Sequence, residues 1–296
     1  MKIFNIGSLN IDYVYSVEHF VRPGETLSSE KREVFPGGKG LNQTVALKRA
    51  GADVTHIGIV GEDGQFLLDT LKNAGVDTNS VKCIDGASGH AIIQIDKTGQ
   101  NCIILFAGAN CRFDKDFVSA SLDGANEGDI LLLQNEINAL DDIFDVAKEK
   151  KLRIAFNPSP FNDSVKTLPL DLVWLWLCNE IEGAEITGKK EPIDIINALS
   201  ERNPHSNVLL TLGKDGAMYK AEGQEVIYQP IIETKAVDTT AAGDTFTGFF
   251  LSSISKGETA EKALLYATAA SSIGVSRPGA SVSIPTLSEV CEVINN

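Results

Sequence analysis

The chain has 296 residues, 43% of them hydrophobic and 22% charged, and carries a formal net charge of −14. A chain of this length and hydrophobicity can bury a sizeable core, which excludes wholesale disorder, and it has room for one large α/β domain or two ordinary ones. The acidic balance argues against general nucleic-acid or anionic-membrane binding, since both need basic patches, but it leaves room for a small anion held by local groups.

From the N-terminus, the opening run Met1 to Ile6 reads as a first strand over 3–6 rather than a signal peptide. Residues 11–36 have no helical period and offer strand-like stretches at 12–17 and 30–35. The spacing then predicts helices over 40–50 and 63–74 around a buried strand at 54–60. Residues 89–106 predict a hairpin, with its turn at Asp96 to Gly99. Further buried strands are predicted at 130–133, 154–156, 172–177 and 208–212, alternating with helices over 138–150 and 191–202. Two helices, 243–254 and 258–275, follow. Short continuous apolar runs suit parallel strands covered on both faces. The fold class expected is therefore α/β, a doubly wound and mostly parallel sheet flanked by helices. The strand pieces at 11–36 and 89–106 break the rhythm and predict a small β-sheet lid on a single domain spanning 1–296.

Cysteine and histidine narrow the chemistry. The five cysteines are widely spaced with no CxxC, which speaks against a disulfide framework or structural zinc. Four scattered histidines give a zinc hydrolase or a His-based triad little to use. No apolar run approaches the roughly 20 residues of a membrane-spanning helix. The sequence reads as soluble and cytoplasmic, with neither nucleic acid nor membrane as a partner.

Four motifs carry candidate chemistry. In Asp238-Thr239-Thr240-Ala241-Ala242-Gly243-Asp244, small residues lead into an apolar helix. Free N–H groups at Ala242, Gly243 and Asp244 would bind an anion, and the Asp244 carboxylate could take a proton from a hydroxyl. A first-turn acid favoured by the helix dipole gives the same pattern. Pro36-Gly37-Gly38-Lys39-Gly40-Leu41-Asn42 is a Gly-rich turn offering donors to a polar ligand, or an ordinary turn before a helix. Asn10 and Asp12 follow the first strand, where open α/β sheets bind ligands. Asn179 and Glu182 follow the strand at 172–177 and could serve a hydrated metal or simply cap a helix. The run Gly183 to Lys190 nearly matches a P-loop, but Lys190 stands where Ser or Thr must bind magnesium, and a polar helical segment precedes it.

Taken together, from about Ile3 to Pro285, these motifs resemble the ribokinase family of sugar kinases within the phosphofructokinase-B superfamily. Gly37 to Gln43 looks like the family's first signature, and Asp238 to Phe246 like its second. The resemblance implies an α/β core with a lid that pairs with its twin to form a homodimer. It implies that Asp244 is the base, with the N–H groups of Ala241, Ala242 and Gly243 forming an anion hole. Sugar contacts would come from Asn10, Asp12, Gly38, Lys39, Asn42 and Glu136. Asn179 and Glu182 would support ATP phosphates and hydrated Mg2+. Thr211, Gly213, Gly216 and Thr268 would line the nucleotide side. Asp238, Thr240, Gly274, Arg277, Gly279 and Ser283 would surround a monovalent cation, K+.

The activity so implied is ATP-dependent phosphorylation of the primary hydroxyl of a pentose, foremost D-ribose to D-ribose 5-phosphate. A fructose, deoxyribose or adenosine-type nucleoside kinase of the same family is the nearest alternative. A non-catalytic sugar sensor is a different class, and the presence of Asp244 beside a Gly-rich helix start argues against it.

Overall fold

The computed structural model describes residues 1–295. In chain order the elements are β1 (Ile3–Ile6), β2 (Asn10–Ser16), β3 (Lys31–Gly37), α1 (Lys39–Arg49), β4 (Val54–Val60), α2 (Gln65–Asn73) and β5 (Val81–Cys83). Then come β6 (Gly89–Ile95), β7 (Asn101–Phe106), α3 (Lys115–Ser121), β8 (Ile130–Gln134), α4 (Leu140–Glu149), β9 (Arg153–Asn157), β10 (Val173–Asn179), α5 (Glu180–Thr187) and α6 (Pro192–Arg202). The rest are β11 (Asn207–Thr211), β12 (Ala217–Lys220), β13 (Ile227–Gln229), α7 (Ala242–Ser255), α8 (Ala260–Val275) and α9 (Leu287–Asn295).

Among these residues the main sheet has nine strands in the order β13-β12-β11-β10-β9-β8-β1-β4-β5. All neighbours from β11 to β5 pair parallel, and β12 and β13 add an antiparallel edge. Strand β8 shows why the apolar runs fold this way. Ile130 and Leu132 point into the core under α1, α7 and α8, while Leu131 and Leu133 point into the core under α3, α4 and α6. Alternation with period two feeds both layers at once, so every residue of the strand is buried.

The strand expected at 172–177 runs from Val173 to Asn179, after a 3-10 turn at Leu170–Leu172. Its last residue, Asn179, also caps α5, accepting from the Glu182 N–H while Glu182 accepts from the Asn179 N–H. That capping box satisfies two orphan donors and fixes the strand-to-helix turn. The near-P-loop stretch begins inside α5 and so lacks the loop that such a motif requires. Short elements such as β5 and α3 fall outside the sequence expectation because neither is long enough to establish a period.

A second sheet, ordered β3-β2-β6-β7, has four strands. It arises where the sequence breaks the βα rhythm. Its strand β2 begins just after β1, and β3 ends just before α1. The pairing of Asn10 with Gly37 and of Asp12 with Phe35 brings its base to the start of α1. Asn10 and Asp12 stand two apart and so share a face.

Candidate active site

Helices α1 and α7 pack against each other, and their N-termini deliver the polar groups. The turn into α1 depends on Gly38, whose φ of 93° is open to glycine at little cost. A Cβ on Gly40 would overlap the backbone of Ser8, so α1 approaches the end of β1 closely only because that residue is glycine.

A cavity of about 250 Å³ lies where the two helix starts meet β9 and β10. Lys39, Asp244, Asn179, Glu182, Thr211 and the Ala241–Gly243 backbone line it. Asp244 is buried, at 8% exposure, and receives one donor on each oxygen. Asn42 Nδ2 donates to Oδ2 at 3.0 Å and Gln43 Nε2 to Oδ1 at 2.9 Å. Burial pulls the Lys39 ammonium down, but the carboxylates of Asp244, Glu136 and Glu182 outweigh it and leave its pKa raised. Lys39 therefore stays cationic at neutral pH.

The expected anion hole needs one correction. The Ala242 N–H is taken by the Thr239 carbonyl at 3.2 Å, because Ala241 adopts a left-handed φ of 59° that folds the turn back. The N–H groups of Ala241, Gly243 and Asp244 find no acceptor among the described residues. A helix start with free N–H groups remains, with a different set of donors, and a terminus of this kind suits an anion.

Asn10, Asp12 and Glu136 do not line this cavity; Glu136 is tied to it through the backbone of Lys39. Glu136 accepts from the Lys39 N–H at 2.9 Å and from the Ser8 hydroxyl. Asn10 Oδ1 accepts from Asn110 Nδ2 at 2.7 Å. Burial, and then the Glu136 charge, push the Asp12 carboxyl up to about 7.

A second, mostly apolar cavity of about 360 Å³ adjoins the first and shares Thr211, Thr239, Ala242 and Gly243 with it. Gly213, Gly216 and Thr268 line it as well. Thr268 Oγ1 is buried there and has no hydrogen-bond partner. An apolar slot with an unpaired hydroxyl suits a flat heterocycle, and the shared wall leads from it to that helix start.

The candidate cation residues form a separate group. Asp238 accepts from the Thr240 N–H at 2.9 Å and the Gly279 N–H at 2.9 Å, tying the two loops together. Arg277 can offer only its carbonyl, because a guanidinium carries no lone pair for a cation; here it pairs with Glu289 at 2.6 Å. Gly274 lies in the last turn of α8, and the Ser283 hydroxyl donates to Ala280. Among the described residues no cluster of three or more His, Cys, Asp or Glu is arranged to hold a metal. A hydrated magnesium on nucleotide phosphates needs only one or two carboxylates, and Glu182 supplies one in the polar cavity.

Several residues of the site have no assigned place in the sequence reading: Gln43, Asn157, Asn110 and Ser8. Their signal is weak, a polar residue in an otherwise apolar buried run, as Asn157 is at the end of β9.

Comparison with known proteins identifies the family and the fold. A family model described as pfkB family carbohydrate kinase matches residues 1–287. The ribokinase of Staphylococcus aureus is 35% identical over 307 aligned residues, which cover 99% of this chain and 99% of that one. The crystal structure of ribokinase from Cryptococcus neoformans var. grubii serotype A in complex with ADP superimposes with a TM-score of 0.87 at 31% identity, covering 99% of both chains. The structure of Arabidopsis thaliana ribokinase complexed with ribose and ATP gives a TM-score of 0.86 at 28% identity, covering 100% of this chain and 99% of that one. The molecule is a phosphotransferase of the sugar-kinase type. It belongs to the pfkB family of carbohydrate kinases. Among the described residues, no helix is long and apolar enough to cross a membrane.

Proposed function

We propose that this carbohydrate kinase transfers the γ-phosphoryl group of ATP to the primary hydroxyl of D-ribose, giving D-ribose 5-phosphate and ADP. The observation that carries the reading is the position of Asp244. It lines the polar cavity next to Gly243, which that cavity shares with the apolar one, and each of its oxygens is held by one amide beside a helix start with unpaired N–H groups. The Staphylococcus aureus relative is a ribokinase, and the Arabidopsis thaliana neighbour was solved with ribose and ATP. Both support ribose and ATP here.

In this reading Asp244 takes the proton of the sugar hydroxyl as its oxygen bonds to the γ-phosphorus and the bond to the ADP oxygen breaks. Charge building on the phosphoryl oxygens meets the N–H groups of Ala241 and Gly243 and the Lys39 ammonium. Phosphoryl transfer is catalysed chiefly by such positioning and charge stabilisation. Asn10, Asp12, Gly38, Asn42 and Glu136 orient the sugar hydroxyls. Thr211, Gly213, Gly216 and Thr268 receive the nucleoside.

Asn179 and Glu182 would hold the hydrated magnesium that neutralises the phosphates when bound. The loops tied by Asp238, with Thr240, Gly274, Arg277, Gly279 and Ser283, would hold potassium beside the anion hole. The second sheet serves as a lid on a single domain and pairs with its twin in a cytoplasmic homodimer.

A coupled assay of ADP release over ribose, deoxyribose, fructose, arabinose and nucleosides tests the reading. Ribose is expected to give the highest kcat/KM. Turnover with a nucleoside alone would overturn the substrate. Equal rates in potassium and in a tetraalkylammonium salt would remove potassium from the scheme.

A further inference from the structure

Gln43 lies in α1 at 1% exposure, and its amide is committed on every side. Its Nε2 donates to Asp244 Oδ1 at 2.9 Å and to Asn157 Oδ1 at 3.2 Å. Its Oε1 accepts from Gln134 Nε2 at 2.7 Å. Gln134 Nε2 also donates to Asn5 Oδ1 at 3.0 Å. Asn5 Nδ2 in turn donates to the Gly40 carbonyl at 2.9 Å and to Thr44 Oγ1 at 2.8 Å. Beyond Thr44 stands His56, whose Nδ1 is 2.7 Å from the hydroxyl. Burial pushes His56 down to about 3, so the run ends on a neutral ring.

The amides of Gln43, Asn5 and Asn157 are each satisfied in only one orientation, and Gln134, whose Oε1 is buried without a partner, is fixed by the two acceptors on its Nε2. Flipping Gln43 would set its oxygen against the oxygens of Asp244 and Asn157, and its NH2 against that of Gln134. Buried polar contacts of this kind are costly to leave unmade. Gln43 is therefore locked as a donor to Asp244, and Asn157 is locked beside it by its own donation to the Leu177 carbonyl at 2.7 Å.

We propose that Gln43 is a positioning residue for phosphoryl transfer. It fixes the rotation of the Asp244 carboxylate, so that the oxygen facing the cavity presents a free lone pair to the substrate hydroxyl. Asn5, Gln134 and Asn157 hold Gln43 in its donating orientation. The inference rests on the reading of Asp244 as the base. A carboxylate with one of its two donors removed can rotate out of line, and loss of alignment slows the chemical step without weakening substrate binding.

The test compares Gln43→Met, Gln43→Glu, Gln134→Leu and Asp244→Asn in the full chain, with kcat, both KM values and the pH dependence of kcat measured for each. In Gln43→Met, kcat is expected to fall about 10²-fold while the KM values for ribose and ATP stay within about threefold. The acid limb of its pH profile moves to higher pH, because the charged carboxylate has lost a donor. Gln43→Glu keeps the volume, places an acceptor where the donor was, and moves the limb further. It carries the same readouts should Gln43→Met fail to fold. Gln134→Leu leaves Gln43 in place with its Oε1 unpaired, removing one of the contacts that hold its orientation, and kcat is expected to fall about tenfold. Lys39 and Glu182, the other charged groups lining the polar cavity, are untouched in all of these variants. The inference is overturned if the Gln43 variants keep kcat within about threefold of wild type and leave the acid limb in place while Asp244→Asn is inactive. If Asp244→Asn itself turns over at the wild-type rate, the base reading falls, and the inference falls with it.

Discussion

Strands β8 and β7 are written in nearly the same alphabet and end in opposite places. Ile130-Leu131-Leu132-Leu133 of β8 is wholly buried in the interior of the nine-stranded sheet, next to its central strand β9. Ile103-Ile104-Leu105-Phe106 of β7 lies on an edge of the small sheet, and each of these side chains is about half exposed or more. The difference is one of layers. Helices cover β8 on both faces, whereas β7 pairs with β6 and is covered on neither face. Hydrophobicity along a strand marks what will be buried by something, and the covering partner need not be in the same chain.

The two regions also divide the proposed chemistry. The main sheet and its helices hold Asp244, Lys39 and the unpaired N–H groups. The small sheet contributes Asn10 and Asp12. Changes in the body should therefore reach kcat and stability, and changes in the small sheet should reach sugar affinity and association. The largest expected effect is on catalysis. Asp244→Asn should lower kcat by about 10²- to 10⁴-fold, the usual worth of a positioned general base. Ribose and ATP binding measured by calorimetry should persist. A kcat near wild type would break the division at its centre.

Stability comes next. Leu132→Ala in β8 removes a side chain that is 0% exposed. It is expected to cost about 2–5 kcal/mol by lost transfer energy plus the cavity left behind. Urea denaturation checks this, through a lowered midpoint at unchanged slope. A loss below about 1 kcal/mol would mean that the site collapses around the missing side chain, contrary to the two-sided packing described above.

The division was partly legible in the sequence. The βα rhythm of the body comes through because each parallel strand is a local apolar run and each crossover helix has its own period. The strands of the small sheet show themselves only by breaking that rhythm. At the site, Gly38 and the small residues before Asp244 stand out, because tight turns and helix starts need particular residue types locally. Gln43 does not stand out. Its partner Asp244 is 201 residues away in sequence, and nothing in a run of helix-forming residues says which side chain will meet it. The Ala242 N–H is hard to place from the sequence for a related reason: Ala241 takes a left-handed φ of 59°, which its residue type does not announce.

Asp12 gives a pH test of the small sheet's part in sugar binding. Its carboxyl is held near 7, above its ordinary value, by burial first and by Glu136 second. The folded protein thus binds a proton on Asp12 that the unfolded chain would release above about 4. By linkage, stability is highest below that lower value and falls as pH rises from it through 7. Ionised Asp12 is the better acceptor for a sugar hydroxyl. The KM for ribose should therefore fall by up to about tenfold between pH 6 and pH 8, following the ionised fraction. Asp12→Asn should flatten both dependences. A ribose KM independent of pH in the wild type would detach Asp12 from the sugar.

The smallest expected effect on the folded chain comes from β7, and it sharpens the comparison most. Ile104 is 61% exposed, and its cross-strand neighbour Ile92 is 39% exposed. The register continues from Ile92 to Tyr13 and from Tyr13 to Val34, so these side chains form a row across the sheet. Alternation along β2 places Tyr13, and with it this row, on the face opposite Asp12. Ile104→Ser should consequently leave the ribose KM unchanged. It should shift monomer stability by no more than about 0.5 kcal/mol, as for an exposed position. If the row is the surface by which two copies pair, sedimentation should show a dimer for the wild type and a monomer for Ile104→Ser at the same micromolar concentration. A wild type that sediments as a monomer would remove the homodimer from the proposal and leave β7 an uncovered edge. A variant that stays dimeric while losing stability would mean that Ile104 packs within its own chain, and the contrast with β8 would then be one of degree.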